Sequence, residues 1–412
     1  MIGNVLVGQS GGPTAVINSS LAGVYKTAKD QGAKKVYGML YGVQGLLDKK
    51  YVDLSEHFKN DLEIELLKRT PSSYLGSCRY KLPDYEKDPA IYEKLFGILN
   101  RLNIKYFFYI GGNDSMDTIN KLSKYAKARN SNIRFIGVPK TIDNDLEATD
   151  HTPGYGSAAK FIASTTKEII RDGLVYDQKN VTVIEIMGRN VGWLTGAAAL
   201  SKGPDCEGPD FIYLPETAFE FNGFLTRIEE LQKHKKALVI AVSEGIRLAD
   251  GRYVCELTRD NKTSDQFGHR QLAGSGKYLA DFVAKELGSK SRGIELSTLQ
   301  RCASHIASFV DITEAYQVGA QAVYAALEGK TGEMIILTRI SDQPYQCVMG
   351  TYDIDNIANK EKKVPLNWLN VAGTNVTEDF INYVNPLIQE ELSPIMINGL
   401  PSHIRFDRTV IA

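Results

Sequence analysis

Two carboxylates, a lysine and a threonine lie together in the segment 139–145, which reads Pro-Lys-Thr-Ile-Asp-Asn-Asp. The segment follows an apolar run at 134–138 of the kind that forms a buried strand. The carboxyl ends of strands are where open α/β sheets bind ligands. An aspartate there can accept a proton from a substrate hydroxyl, a second can orient the reacting groups or hold a metal, and a lysine can neutralise phosphate charge. A solvated turn would also read Asp-Asn-Asp, so the segment alone does not decide the matter.

Gly-Gly turns follow two other predicted strands. The apolar run 106–110 leads into Gly-Gly-Asn-Asp at 111–114, and the run 5–8 leads into Gln-Ser-Gly-Gly-Pro-Thr at 9–14. Apolar residues at helical spacing come after each turn. Glycine lets the backbone approach a phosphate, and the amino end of the following helix supplies N–H donors. Three strand ends of this kind, one of them carrying two carboxylates, favour a phosphate-handling site.

Composition narrows the class of protein. The 412 residues are 43% hydrophobic, which is enough for two or three domains. The formal net charge of −1 gives no reason to expect a nucleic acid or a membrane as partner. The five cysteines are scattered without a Cys-x-x-Cys pair, as expected for reduced thiols. With no signal peptide or transmembrane segment recognisable, the sequence predicts a cytoplasmic protein.

Apolar runs alternate with helix-period stretches through most of the chain, which predicts an α/β fold with mainly parallel sheets covered by helices. So many strands suggest two sheets, and hence two Rossmann-like domains with the active site in the cleft between them. Among the predicted elements are a strand at 293–299 and helices at 192–201 and 269–287.

Four motifs together resemble those of the 6-phosphofructokinases, in the family's order and spacing. They are Ser10-Gly11-Gly12, Gly111-Gly112-Asn113-Asp114, the segment 139–145 and Glu185-Ile186-Met187-Gly188-Arg189. The resemblance covers roughly residues 1–340, and the joint set is specific although each Gly-Gly turn alone is weak. The lysine at 140 and the aspartate at 114 are similar to those of the pyrophosphate-dependent branch.

The resemblance implies a phosphotransferase of glycolysis and gluconeogenesis. Such an enzyme phosphorylates fructose 6-phosphate at its 1-hydroxyl, takes pyrophosphate as donor, uses Mg²⁺ and runs in both directions to and from fructose 1,6-bisphosphate. It also implies a homodimer or homotetramer whose partners are small-molecule substrates. We therefore expect magnesium to bridge the donor phosphates and to keep much of its own water.

The catalytic roles fall on the residues of the 139–145 segment and one arginine. Asp143 is the candidate general base, and Asp145 would orient it or bind the metal shell. Thr141 can hydrogen-bond the transferred phosphoryl group, while Lys140 and Arg189 can neutralise its charge.

The resemblance also assigns binding residues at both ends of the site. On the donor side these are Gly12, Arg79, Asp114 and Lys140, with Asn113 and Asp114 near the metal. On the sugar side they are Thr141, Asp143, Met187, Gly188, Arg189, Glu244, Arg292 and Arg301. Glu244 would accept hydrogen bonds from sugar hydroxyls, and the two last arginines would hold the 6-phosphate, which planar guanidinium groups suit.

Domain boundaries are also implied by the resemblance. The donor domain would contain residues 1–140 and a return segment near 255–310. The sugar-phosphate domain would contain residues 141–254 and the C-terminal part, 311–412.

Some residues depart from the family pattern. Asn113 stands where most members carry an aspartate near the metal, which weakens a direct metal bond from this position, although Asp114 can compensate. Asn180 stands where many members carry an arginine that reaches a neighbouring subunit's sugar phosphate, and Thr298 stands where His or Tyr is usual. A separate stretch, Ala-Gly-Ser-Gly-Lys at 273–277, resembles a Walker A loop but lacks its first glycine and its Ser or Thr.

Several alternatives stay open on the sequence. One is the same enzyme with ATP as donor, and another is a longer ketose phosphate, such as sedoheptulose 7-phosphate, as main substrate. A non-catalytic regulatory subunit would have no need for Thr141, Asp143 and Asp145 together. An NAD or lipid kinase would share the Gly-Gly-Asp turn but not the sugar set of residues 187–189 and Glu244.

Overall fold

The computed structural model of the protein describes residues 3–257, 272–357 and 360–410. The strands are β1 (Asn4–Gln9), β2 (Val36–Met39), β3 (Tyr51–Asp53), β4 (Ile104–Gly111), β5 (Arg134–Pro139), β6 (Asn180–Ile186), β7 (Phe211–Tyr213), β8 (Ala237–Ser243), β9 (Lys290–Glu295), β10 (Glu333–Asp342), β11 (Tyr345–Asp353), β12 (Met396–Ile397) and β13 (Leu400–Pro401). The helices are α1 (Ile17–Asp30), α2 (Gly42–Leu47), α3 (Leu54–His57), α4 (Asp61–Lys68), α5 (Pro89–Arg101), α6 (Asn113–Ala128), α7 (Tyr155–Gly173), α8 (Trp193–Gly196), α9 (Phe221–Leu231), α10 (Ser275–Leu287), α11 (Phe309–Leu327) and α12 (Glu378–Val384).

A seven-stranded sheet has the order β11-β10-β5-β4-β1-β2-β3. The strands from β10 to β2 are parallel, and only the two edge strands run antiparallel to their neighbours. The central strands β1, β4 and β5 are buried along most of their length, which explains their continuous apolar runs. Their registers pair Gln9 with Ile110 and Gly111 with Pro139, so the three strands end at one edge of the sheet.

A second, four-stranded sheet has the order β7-β8-β6-β9 and is parallel throughout. Ile186 of β6 lies opposite Ser243 of β8, so these two strands also end together. Helix α7 connects the two sheets, since it leads from the loop after β5 into β6. The predicted α/β fold with two mainly parallel sheets is confirmed.

The prediction that the segment near 255–310 returns to the first domain is wrong for its strand, β9, because β9 pairs with β6 in the second sheet. The chain returns to the first sheet later, through β10 and β11. Helix α11 returns with them: a Cβ on Gly319 would lie 2.2 Å from the Ser20 carbonyl oxygen, and one on Gly23 would lie 2.0 Å from the Tyr316 oxygen. Only glycine allows α1 and α11 to approach so closely. The C-terminal part, 311–412, is divided between the two sheets: β10 and β11 join the first, and Phe380 and Val384 of α12 pack in one core cluster with β6 of the second.

Two predicted elements end earlier than expected. The strand predicted at 293–299 ends at Glu295 and is followed by a 3₁₀ segment, Ser297–Arg301. Ser297 has a φ of 44°, a left-handed conformation that a strand cannot contain. The helix predicted at 192–201 is α8 followed by a 3₁₀ segment. Residues 269–271 of the helix predicted at 269–287 lie outside the described residues, and α10 begins at Ser275.

None of the helices in the described ranges is both long enough and apolar enough to span a bilayer.

Candidate active site

The aligned ends of the strands in the two sheets line a cleft of about 780 Å³. The first sheet contributes the turns after β1, β4 and β5, and the second contributes the turns after β6 and β8. The cleft contains twelve of the fourteen predicted site residues: Gly12, Arg79, Asn113, Asp114, Lys140, Thr141, Asp143, Asp145, Met187, Arg189, Glu244 and Arg301. Sequence positions almost 300 residues apart therefore meet at one site.

The carboxylate pair is held by a short turn directly after β5. The Asp143 N–H donates to Thr141 Oγ1 at 3.1 Å, and the Thr141 hydroxyl is 3.4 Å from Asp143 Oδ2. Asn144 between the aspartates is fully buried and has a φ of 57°. Asparagine tolerates this left-handed conformation better than most residues. The turn places Asn144 in the protein interior while Asp143 and Asp145 line the cleft.

Burial raises the pKa of both carboxyl groups. For Asp143 the charges of Lys140, Arg301 and Arg189 and the Thr141 hydrogen bond oppose this rise. For Asp145 the charge of Asp143 adds to the effect of burial and raises the pKa to about 7. Two carboxylates so close together resist double ionisation, and their protons come off as a pair. Such a pair can hold or release a proton near neutral pH.

Lys140 lies between the carboxylates and the first Gly-Gly turn. Its Nζ donates to the Gly12 carbonyl at 2.6 Å, and the side chain is buried. Burial lowers its pKa to about 8, while the charges of Asp143 and Asp145 oppose this fall. Its ammonium is therefore still mostly charged at neutral pH.

Positive charge surrounds the turn at Gly11 and Gly12. A Cβ on Gly12 would lie 3.3 Å from Arg301 Nη1, and a Cβ on Gly11 would lie 3.2 Å from Lys140 Nζ. Arg79 also lines the cleft. Burial lowers the pKa of Arg301, and the neighbouring charge of Arg79 lowers it further. Cations held close to a glycine turn form a site for phosphate groups.

Glu244 lies on the opposite side of the cleft, after β8. Burial raises its pKa to about 8, so it carries a proton over most of the neutral range. The Gly188 N–H is 3.4 Å from Glu244 Oε1. Gly188 itself does not line the cleft; its φ of 142° and a would-be Cβ only 2.5 Å from the Val191 oxygen show that it shapes the turn. A protonated Glu244 can both donate to and accept from a sugar hydroxyl.

The start of α6 offers oxygen ligands for a metal. Asn113 Nδ2 donates to Asp145 Oδ2 at 3.3 Å, while Asn113 Oδ1 is buried with no hydrogen-bond partner among the described residues. Asp114 is exposed to the cleft in the first turn of α6. No cluster of three or more His, Cys, Asp or Glu suited to a metal occurs in the part of the chain that the structure describes. These residues fit Mg²⁺ held largely by donor phosphates and water.

Arg292 is not brought to this cleft. Its side chain is 59% exposed on β9, the outer strand of the second sheet, and its Nη1 lies 3.7 Å from Asp172. Asn180 and Thr298 do not line the cleft either. The predicted role of Arg292 on a sugar phosphate stays a prediction for which this chain's own cleft gives no support.

The Walker-like stretch is occupied by a side chain of the protein itself. The N–H groups of Gly274 and Gly276 donate to the Glu185 carboxylate, the latter at 2.6 Å. A carboxylate bound at this helix start leaves no place for a phosphate there.

Among the polar residues that line the cleft, sequence reasoning did not assign Tyr80, Lys81, Ser115, Asn190, Glu361 and Lys363 to the site. Four of them lie within two positions of a predicted site residue, so the motifs offered a signal for Tyr80, Lys81, Ser115 and Asn190. Glu361 and Lys363 belong to a charged run about sixty residues beyond Arg301, the nearest predicted site residue, and nothing local distinguishes that run from a solvated surface.

Comparison with known proteins agrees with this geometry. A family model described as Phosphofructokinase matches residues 4–326. The pyrophosphate–fructose 6-phosphate 1-phosphotransferase of Halomonas elongata is 40% identical over 97% of this chain and 94% of its own. The protein of the same name from Xanthomonas campestris is 40% identical over 100% of this chain and 97% of its own. The crystal structure of a pyrophosphate-dependent phosphofructokinase from Nitrosospira multiformis matches with a TM-score of 0.89 and 36% identity over 99% of this chain and 98% of its own. The chain belongs to the phosphofructokinase family.

Proposed function

We propose that this protein transfers a phosphoryl group from pyrophosphate to the 1-hydroxyl of fructose 6-phosphate, forming fructose 1,6-bisphosphate and orthophosphate, and that it catalyses the reverse reaction as well. The observation that carries the proposal is the meeting, in one cleft, of the Asp143–Asp145 pair with a cluster of cations at Gly12. The full-length relatives from Halomonas and Xanthomonas bear the name of this activity.

Asp143 would accept the proton of the 1-hydroxyl as its oxygen attacks the transferred phosphorus. The pyrophosphate P–O bond breaks in the same displacement, and the leaving orthophosphate takes the electron pair. Lys140 and Arg189 would neutralise the negative charge that spreads over the transferring oxygens, while Arg301, in the same cleft, would bind the sugar 6-phosphate. Phosphoryl transfer depends mainly on such positioning and charge neutralisation.

Magnesium, when bound, would neutralise the donor phosphates as a Lewis acid. Asn113 Oδ1, Asp114 and Asp145 would hold it or its water ligands. Asn113 also orients Asp145 through its amide N–H.

Pyrophosphate is favoured over ATP by two residues. Asp114 puts a carboxylate at the cleft wall at the start of α6, where a longer nucleotide tail would meet like charge. Exclusion by an unfavourable contact is an efficient source of specificity. Lys140 supplies charge for a small donor that brings no binding energy from a nucleoside.

Product analysis tests the proposed reaction. Protein, fructose 6-phosphate, pyrophosphate and Mg²⁺ are followed by ³¹P NMR, and we expect one new sugar 1-phosphate signal with an equal amount of orthophosphate. Sedoheptulose 7-phosphate is offered in parallel, and a higher kcat/KM for it would move the substrate assignment to the longer ketose. Orthophosphate without a new sugar phosphate would contradict the proposal.

The Arg301→Ala variant should raise the KM for fructose 6-phosphate about ten- to a hundredfold and leave the KM for pyrophosphate nearly unchanged. Loss of one charge-assisted contact is worth about 1.5–3 kcal/mol. Steady-state kinetics with each substrate varied in turn measures both constants. Arg252→Ala, an exposed arginine paired with Asp250, is the matched control. A shift in the pyrophosphate constant instead would place Arg301 at the donor end.

The pH profile of kcat/KM should be bell-shaped and narrow. Burial raises the pKa of Asp143 and raises that of Asp145 to about 7, so the Asp143–Asp145 pair takes up a proton as the pH falls through these raised pKa values and the ionised base is lost. The Lys140 pKa is lowered to about 8, so its positive charge is lost above that pH. Glu244 gains a negative charge near the same pH, which also opposes anionic substrates.

The Lys140→Arg variant separates the two causes of the alkaline limb. A guanidinium stays charged throughout this range, so the limb should become shallower and only the part caused by Glu244 should remain. The free-enzyme profile of kcat/KM is the relevant measurement. A profile flat from pH 6 to 9, or one unchanged by Lys140→Arg, would contradict the electrostatics described for the cleft.

We also propose that the protein works as a homodimer or homotetramer in the cytoplasm. Arg292 can meet a sugar phosphate only in the cleft of a second copy, since it lies outside its own. Arg292 is paired with Asp172. The exposed residues Leu174, Val175 and Tyr176 follow Asp172 closely in the sequence and offer apolar area for such a contact. Light scattering of the active protein tests the assembly, and a fully active monomer would contradict it; detection in cell fractions tests the location.

A further inference from the structure

The C-terminal residues beyond 326 lie outside the matched family model. Two of them, Lys362 and Tyr383, contact the turn that carries the catalytic carboxylates. We propose that Lys362 and Tyr383 are positioning residues that hold this turn in the conformation in which Asp143 and Asp145 both face the cleft. The inference deepens the proposed function and rests on it.

Lys362 binds the turn through its main chain and its side chain. Its N–H donates to the Asp145 carbonyl at 2.8 Å. Its Nζ donates to the carbonyls of Asp150 at 2.6 Å and Thr149 at 3.1 Å, and lies 3.4 Å from Asn144 Oδ1. One lysine therefore joins both ends of the loop that leaves β5.

Tyr383 completes the hydrogen bonding of Asn144. The Asn144 amide Nδ2 donates to the Tyr383 hydroxyl at 2.9 Å, and that hydroxyl donates to the Asp150 carbonyl at 2.6 Å. Asn144 Oδ1 accepts from the Thr152 N–H at 3.1 Å. Because Asn144 is fully buried in a left-handed conformation, loss of its partners leaves a strained residue without compensation.

Rigid packing holds the two residues in place. Trp193 Nε1 donates to the Lys362 carbonyl at 2.8 Å, and the Lys362 ammonium lies 5.3 Å from the Trp193 ring centre. The Tyr383 ring packs 5.2 Å from Trp193 and 4.7 Å from the Arg339 guanidinium. The charges near Lys362 come from Asp150, Asp145, Glu147 and Arg339, and burial lowers the Lys362 pKa to about 8. Side chains locked in this way can fix the geometry of a neighbouring site.

The structure separates positioning from substrate contact. Neither Lys362 nor Tyr383 lines the cleft, whereas the neighbours Glu361 and Lys363 do. A group that acts through the Asp143–Asp145 turn should change kcat and leave substrate binding nearly intact.

The test compares Lys362→Met and Tyr383→Phe with the wild type. Tyr383→Phe removes only one hydroxyl, so it should fold normally, and it should lower kcat about three- to thirtyfold because a small displacement of reacting groups is costly. Lys362→Met should lower kcat about ten- to a hundredfold. The KM values for both substrates should stay within about twofold. Hydrogen exchange should quicken in peptides covering 141–152 and not in the central strands of either sheet.

Lys360→Met and Tyr352→Phe, both exposed, are the matched controls and should behave as wild type. The inference is overturned if Tyr383→Phe keeps the wild-type kcat and loop exchange. It is equally overturned if the loss of kcat comes with faster exchange throughout both sheets, which indicates a purely structural role. Should the wild type fail to phosphorylate fructose 6-phosphate, the exchange of peptides 141–152 still decides whether these residues hold the turn.

Discussion

Replacing Asp143 with Ser should lower kcat about 10²- to 10⁴-fold, the usual worth of a general base. The side chain is within hydrogen-bonding distance of Thr141 and lies in the cleft beside the charges of Lys140 and Arg301. Its role is to take a proton in the transition state, so the KM values should change little. Steady-state kinetics with saturating substrates at pH 7.5 measures the effect.

Asp143→Asn serves as a second variant, because it keeps the shape and the hydrogen bond to Thr141 but cannot accept the proton. The control is Asp177→Asn, a surface carboxylate that is 93% exposed and does not line the cleft. Near wild-type turnover in Asp143→Ser would remove Asp143 as the base and leave Asp145 as the remaining carboxylate of the pair.

Removal of the Lys140 charge is expected to have the second-largest effect. Lys140→Met should reduce pyrophosphate-dependent kcat about 10²- to 10³-fold, the cost of losing one preorganised group that stabilises developing charge. Two losses combine: the donor phosphates lose a cation, and the pKa of Asp143 rises further because Lys140 is the largest influence that lowers it. The acid limb of the pH profile should therefore move to higher pH in this variant.

Lys87→Met, a lysine whose side chain is 78% exposed, controls for the loss of a charge at the surface. If Lys140→Met lowers kcat but leaves the acid limb where it was, the charge of Lys140 acts on the donor alone. Unchanged kcat would show that the contact with the Gly12 carbonyl is structural.

The sequence was sufficient to predict the central part of the site because its signals are local. Each Gly-Gly or Asp-Asn-Asp turn directly follows a buried strand, and parallel strands in one sheet must end at the same edge. That rule brings Gly12, Asn113 and Asp143 together without knowledge of any long-range contact. It does not apply to Arg292, which lies inside a strand and not at its end.

Long-range contacts account for what the sequence did not predict. The pairing of β10 with β5 consists of two residue pairs whose members lie about 200 positions apart in the sequence, and no pattern in either strand specifies the partner. Lys362 and Tyr383 likewise reach Asn144 through folds of the C-terminal chain that carry no motif. The early end of β9 depends on the left-handed conformation at Ser297, for which serine gives no signal.

The most direct measurement of the central claim is a donor panel. The wild-type protein receives fructose 6-phosphate and Mg²⁺ with pyrophosphate, ATP, ADP or polyphosphate in turn, and kcat/KM is determined for each donor. We predict a preference for pyrophosphate over ATP of about 10²-fold or more, from the unfavourable contact with Asp114, and a smaller preference in Asp114→Gly. A wild-type protein that uses ATP as well as or better than pyrophosphate would contradict the account.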